Sequence, residues 1–183
     1  MSYQETMSKT TLRRTLAAMN AEQMASLITE LYEARPEARE YLDFFVQPDI
    51  DRRLEKARAN IRKEMNRQSR GRNRGRITRI RRFIKDISSL NPGAEPTVDI
   101  MVYAVETACE VGADQWIKET TQRAVGRLLA ETVRYADENG LLDMALPSLK
   151  KAVESLPSSW FRAGDFKRLM RESLKDAVES IGQ

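Results

Sequence analysis

Arg52-Arg-Leu-Glu-Lys-Ala-Arg-Ala-Asn-Ile-Arg-Lys-Glu-Met-Asn-Arg-Gln-Ser-Arg-Gly-Arg-Asn-Arg-Gly-Arg-Ile-Thr-Arg-Ile-Arg-Arg-Phe-Ile-Lys85 is the stretch on which the reading of the chain turns. Its first half carries a narrow apolar stripe, Leu54, Ala57, Ile61 and Met65, preceded by Ile50. Its second half resumes with Ile77, Ile80 and Ile84, and Ile87 follows. Spacings of three and four put each set on one face of a helix. Between them, residues 67–76 form a polar Arg/Gly loop in which Ser, Gly and Asn break the pattern. The segment 52–85 holds 15 of the 31 Lys and Arg residues and only two acids, Glu55 and Glu64, so it is +13. The remainder is −9, which returns the formal net charge of +4.

The same helical period runs outward in both directions. Ser8 is placed to cap a first helix with a face of Leu12, Leu16 and Met19. Asn20-Ala-Glu-Gln23 has the form of a capping box before Met24, Leu27, Ile28 and Leu31. Pro36 suits the first position of a third helix, where its missing N–H costs nothing, and Pro48 ends that helix after Tyr41, Leu42 and Phe45. Beyond residue 85, Asn91-Pro92-Gly93 is a turn. Val98, Met101, Val102, Val105 and Cys109 then make one face, with Gly112 placed as a left-handed cap. The spacing predicts a long helix over about 114–138 that buries Trp116, Ile117, Ala124 and Leu128 and stops at Asn139-Gly140. Leu142, Ala145, Leu146, Leu149, Val153 and Leu156 form the next face. Trp160 and Phe161 read as a hydrophobic anchor for a last helix carrying Phe166, Leu169, Met170, Leu174, Ala177, Val178 and Ile181. The expected fold is all-α, with about eight or nine helices in antiparallel pairs forming an irregular bundle or a short α-solenoid. One domain spanning 1–183 fits the length.

Composition excludes several chemistries. There is no histidine, which removes Ser-His and Cys-His pairs, an imidazole base and imidazole-bound metal sites. One cysteine rules out an intrachain disulfide, and its place on an apolar stripe makes Cys109 a small core residue. No nucleotide-binding glycine motif is present; Arg70-Gly-Arg-Asn-Arg-Gly75 lacks the flanking strand and Lys-Ser/Thr. No apolar run approaches the ~18–20 residues that span a bilayer, and the first residues lack a secretory core. The expectation is a cytoplasmic, non-enzymatic chain with no cofactor, no catalytic residue and no metal ligand.

Two acidic sets stand against that expectation. Asp99, Glu106 and Glu110 share a helix face, and Asp43, Asp49 and Asp51 cluster about Pro48. Oxygen ligands of this kind suit Mg²⁺ or Ca²⁺. A carboxylate-metal-dependent enzyme built on the first set is the third-ranked reading.

The basic segment carries the sharper hypothesis. Arg67, Arg70, Arg72, Arg74, Arg76, Arg79, Arg81, Arg82 and Lys85 together form a candidate surface for phosphates, contacting nucleic acid or another polyanion without base specificity. No aromatic residue lies between Arg52 and Arg82, so no stacking platform is evident there. The alternative is a protein-interaction scaffold, homodimeric or docked on an acidic partner, in which the −9 remainder meets the +13 segment of another chain.

The stretches Ser8-Lys-Thr-Thr-Leu12, Glu22-Gln-Met-Ala-Ser-Leu-Ile-Thr-Glu-Leu-Tyr32, Tyr41-Leu-Asp-Phe-Phe-Val-Gln-Pro48 and Asp99-Ile-Met-Val-Tyr-Ala-Val-Glu106 resemble an uncharacterised family of small bacterial all-helical proteins, a domain of unknown function. The resemblance runs from Ser8 to about Leu169 and consists of packing motifs. It implies a helical fold and a bacterial cytoplasmic origin, and it transfers no catalytic residue.

Overall fold

A computed structural model describes residues 8–69, 72–73, 75–158 and 163–181. Its elements are α1 Lys9–Ala17, α2 Ala21–Ala34, α3 Pro36–Val46, α4 Ile50–Met65, β1 Gln68–Ser69, β2 Arg72–Asn73, α5 Ile77–Ser88, α6 Ala94–Asp114, α7 Glu119–Glu138, α8 Leu142–Ser155 and α9 Ala163–Ile181. The protein is all-α, with nine helices among the described residues. Its only strands there are the two-residue β1 and β2, which pair antiparallel with Gln68 opposite Asn73 and Ser69 opposite Arg72. The chain divides into two compact units, Met1–Pro48 and Asp49–Gln183.

In Met1–Pro48 the helix starts follow the sequence. The Ser8 hydroxyl accepts from the Thr11 amide at 3.2 Å. Asn20 and Gln23 form the reciprocal capping box at 2.8 and 3.0 Å. Pro36 opens α3. Tyr32 of α2 donates its hydroxyl to Asp43 of α3 at 2.9 Å, and the Arg39 guanidinium lies 5.1 Å from the Tyr32 ring centre. That hydrogen bond, and the Asp43 charge behind it, raise the Tyr32 pKa. The apolar faces nevertheless stay wet. No residue of α1, α2 or α3 is buried, and Leu27, Ile28, Leu31, Tyr41, Phe45 and Val46 are exposed, Val46 by 80%.

In Asp49–Gln183 six helices build one core. Asp49 caps α4, its carboxylate accepting from the Arg52 amide at 3.2 Å. The stripes predicted for α4 and α5 turn inward: Leu54, Ala57, Ile61 and Met65 are buried, as are Ile77, Ile80, Ile84 and Ile87. Both sets face α6, which also packs against α7, α8 and α9. Each fully buried leucine, isoleucine or methionine among them contributes about 1.5–3 kcal/mol.

α6 differs from its expected one-faced pattern. Besides Val98, Met101, Val102, Val105 and Cys109, it buries Thr97, Ile100, Ala104, Thr107, Ala108, Val111 and Gly112. A helix buried over most of its circumference belongs inside a protein, and here the face of Asp99, Glu106 and Glu110 is the part that keeps access to water. Ala104, Ala108 and Gly112 recur every four residues and form a shallow ridge, which lets neighbours approach closely. Gly112 is therefore no terminal cap. It lies within α6, which continues to Asp114, and a Cβ there would sit 2.6 Å from Cε1 of the buried Phe166 on α9.

Two further expectations need correction. The long helix begins at Glu119 rather than near 114, because Ile117 drops out of helical geometry to fill the core, where Gln122 holds its carbonyl at 2.8 Å. Trp116, expected inside, is 43% exposed on that connection, and Ala124 is half-buried. The predicted anchor residues Trp160 and Phe161 lie outside the described residues. No helix among the described residues is long and apolar enough to cross a membrane.

Gly112→Ala should lower stability. Alanine restores up to about 1 kcal/mol of helix propensity, but overpacking against Phe166 costs about 1–3 kcal/mol. Urea unfolding of the pair measures the balance; an alanine variant more stable than wild type would show that α9 retreats freely.

Candidate functional site: a basic cleft between α4 and α5

One face of α4 and its extension carries Asn60, Lys63, Glu64 and Arg67 at positions i, i+3, i+4 and i+7. The start of α5 carries Arg76, Arg79 and Phe83 at i, i+3 and i+7. The spacing aligns Asn60, Lys63 and Glu64 on one face of α4, and Arg79 and Phe83 on one face of α5, while Arg67 follows the end of α4 and Arg76 is the N-cap of α5. The seven side chains line a cleft of about 510 Å³.

The connection between the helices holds the two faces in register. The Asn73 side-chain amide donates to the Met65 carbonyl at 2.7 Å, satisfying an acceptor that the end of α4 leaves without a helical partner. Its carbonyl oxygen accepts from the Gly75 amide at 3.0 Å. At Gly75 a Cβ would come within 3.2 Å of the Met65 carbonyl oxygen and 3.3 Å of that of Glu64, so the chain folds directly onto the last turn of α4. Arg76 then enters α5 beside Glu64.

The Glu64 side chain is only 8% exposed, and three guanidinium groups surround its carboxylate. Arg76 donates Nε to Oε1 at 3.1 Å, a true hydrogen bond. Arg79 and Arg67 approach to 3.7 and 3.9 Å, beyond hydrogen-bonding range, and act through charge alone. A carboxylate this buried needs such company. With Lys63, the lining has four cations against one carboxylate and is +3. A guanidinium has five N–H donors, and of these three arginines only Arg76 donates a hydrogen bond to Glu64.

The other predicted residues go elsewhere. Arg81 leaves α5 on another side and grips Glu131 of α7 at 2.6 and 2.9 Å. Arg82 and Lys85 are exposed, without an ion pair among the described residues. Arg70 and Arg74 lie outside the described residues, as does the side chain of Arg72. Sequence reasoning missed Lys63, Asn60, the anchoring role of Glu64, and Phe83. The i, i+3, i+4, i+7 spacing from Asn60 was the available signal. Phe83 falls one residue beyond the aromatic-free stretch, and one helical turn sets it beside Arg79.

Two of the acidic set on α6, Asp99 and Glu110, face α4 cations. Asp99 pairs with Arg58, and Glu110 lies 3.7 Å from Arg62, which also donates Nε to the Tyr103 hydroxyl at 3.1 Å. Glu106 is held above the usual carboxylate range, first by burial and then by the charges of Glu110 and Asp99; Lys151 and a hydrogen bond with Ser148 oppose the shift. Of the second set, Asp49 caps a helix and Asp43 accepts from Tyr32. Among the described residues no group of three or more His, Cys, Asp or Glu side chains could hold a metal ion. Cys109 is buried as expected, and burial pushes its thiol up to about 12, with Glu106 and Glu110 adding to the rise. It is no thiolate nucleophile at neutral pH.

A model of a family of unknown function, DUF6155, matches residues 7–173. No curated protein sequence and no solved structure matches the chain.

The raised Glu106 pKa sets a sign for pH dependence. A carboxyl that holds its proton more tightly when folded favours the folded state less as pH rises from about 4.5 through the folded-state value. Glu106→Gln should therefore melt higher than wild type at pH 7 and lose that advantage near pH 4. Thermal melts at the two pH values check it, and an equal effect at both would deny the shift.

Proposed function

The chain belongs to that family of unknown function, and we propose that it is a non-enzymatic binding module whose α4–α5 cleft contacts the phosphates of nucleic acid or another polyanion. One observation carries the reading: Lys63, Arg67, Arg76 and Arg79 converge on a cleft with a single counter-charge, Glu64. Guanidinium groups match phosphate oxygens in pairs of hydrogen bonds, and the ordered set is held in place before a ligand arrives. Exposed Arg82 and Lys85 extend the charge along α5. The absence of histidine and the buried thiol of Cys109 favour binding over catalysis.

The test removes charge without stranding Glu64, so Arg76, its nearest partner, stays in place. Wild type should be retained on heparin and on oligonucleotides at low salt and released as salt rises. Lys63→Gln combined with Arg79→Gln should reduce the log–log salt slope by roughly 1–2. Absent or salt-independent retention of wild type would overturn the proposal.

A second reading rests on the other unit. Its exposed apolar side chains Leu27, Ile28, Leu31, Tyr41 and Phe45 form a surface fit for a second copy of the chain. Charge favours that occupant: α1 carries Lys9, Arg13 and Arg14 without an acid, and α2 carries Glu22, Glu30 and Glu33 without a base. Two-fold symmetry would make each contact twice. Light scattering should report two chains at micromolar concentration and one for Ile28→Asp; a single-chain mass for wild type at high micromolar concentration removes this reading.

A further inference from the structure

We infer that the α4–α5 cleft takes single-stranded nucleic acid, with a phosphate among Lys63, Arg67, Arg76 and Arg79 and a base against Phe83. The inference rests on the phosphate-contact reading above and adds the ligand class.

Phe83 carries the argument. Core contact along α5 is already supplied by Ile77, Ile80, Ile84 and Ile87, all buried. Phe83 packs against that core in part, remains half-buried and is among the residues that line the cleft. It lies one turn, about 5.4 Å, beyond Arg79 along α5. The cations gather at the end of the cleft near the connection, where Glu64 meets Arg76 and Arg79. The site thus has a charged end and an aromatic side in succession, the order in which a nucleotide presents its phosphate and its base. Asn60 lines the cleft from α4, and its amide offers a donor and an acceptor to a base edge or sugar.

Strandedness follows from the ring. A duplex could bring its phosphates to the cations, but its bases are stacked inside and show no face to Phe83. Unpaired bases are free to stack on an aromatic side chain, and such stacking tolerates any sequence because every base has a π-face. The cleft volume of about 510 Å³ suits one nucleotide-sized group. The groove between α7 and α9 provides a contrast: Arg123, Arg127 and Arg134 line it with Asp176, but no aromatic residue does. It has the charge for phosphate and nothing for a base.

Fluorescence anisotropy on three probes tests the inference: a labelled oligo-thymidine strand, an abasic strand with the same number of phosphates, and unlabelled polyphosphate as competitor. Wild type should bind the base-bearing strand roughly tenfold more tightly than the abasic one. Phe83→Leu should lose about that factor on the base-bearing strand and leave the abasic strand within about twofold, and Phe83→Tyr, which keeps the ring, should retain both affinities. Equal affinity of wild type for the two strands, or equal weakening of both by Phe83→Leu, overturns the base contact and leaves the phosphate contact standing. If no probe binds at low salt, both fall. Should Phe83→Leu fail to fold by circular dichroism, the wild-type comparison of the two strands decides alone.

Discussion

The burial of α6 is the constraint on which Asp49–Gln183 depends. A 21-residue helix with twelve buried residues leaves water little more than the face of Asp99, Glu106 and Glu110, so other helices must cover the rest. α4, α5, α7, α8 and α9 do so, and they also pack on one another, α4 on α5 and α7 on α9. Small residues on α6 set how near those neighbours come; Gly112 admits Phe166 of α9 where any Cβ would collide. The position of α4 and α5 against α6 in turn fixes the space between their outer faces, which is the basic cleft.

Charge acts in this protein as an organiser more than as a source of stability. Exposed pairs such as Arg123 with Glu119 are worth about 0–1 kcal/mol, well below one buried leucine or isoleucine. Glu64 is different, because its carboxylate is out of water. It must keep cationic company, and that requirement holds Arg67, Arg76 and Arg79 about one point rather than letting them spread by mutual repulsion. Arg81 shows the contrary arrangement. Paired face to face with Glu131, it ties α5 to α7 and presents little to a ligand.

The α1–α3 unit is organised by local chemistry instead. Ser8, Asn20, Gln23 and Pro36 start its helices, and the Tyr32–Asp43 hydrogen bond links α2 to α3. Helices of 9, 14 and 11 residues are short for stability in isolation, where about 12–15 residues are already marginal. Their leucine, isoleucine and phenylalanine side chains Leu27, Ile28, Leu31 and Phe45 stay exposed, so burial contributes little to this unit.

The sequence by itself determined the helices, because caps, prolines and three-four apolar spacing act within a few residues. The buried stripes of α4 and α5, the capping box at Asn20 and the burial of Cys109 were all readable in that way. The stop at Gly112 and the helix start near 114 were not, since a glycine that ends a helix and one that admits a phenylalanine look alike in one dimension. Trp116 and Ile117 were alike too in hydrophobicity, and only the packing of α6 and α7 separated the exposed one from the buried one. Within the basic segment, counting charge located the candidate surface but could not divide it. Which cations share a cleft, which pair with Glu131 or Asp99, and which aromatic ring joins them depends on helices meeting across dozens of residues. Tertiary structure alone decided that, because the direction of a side chain is fixed locally while its neighbours are fixed by the core.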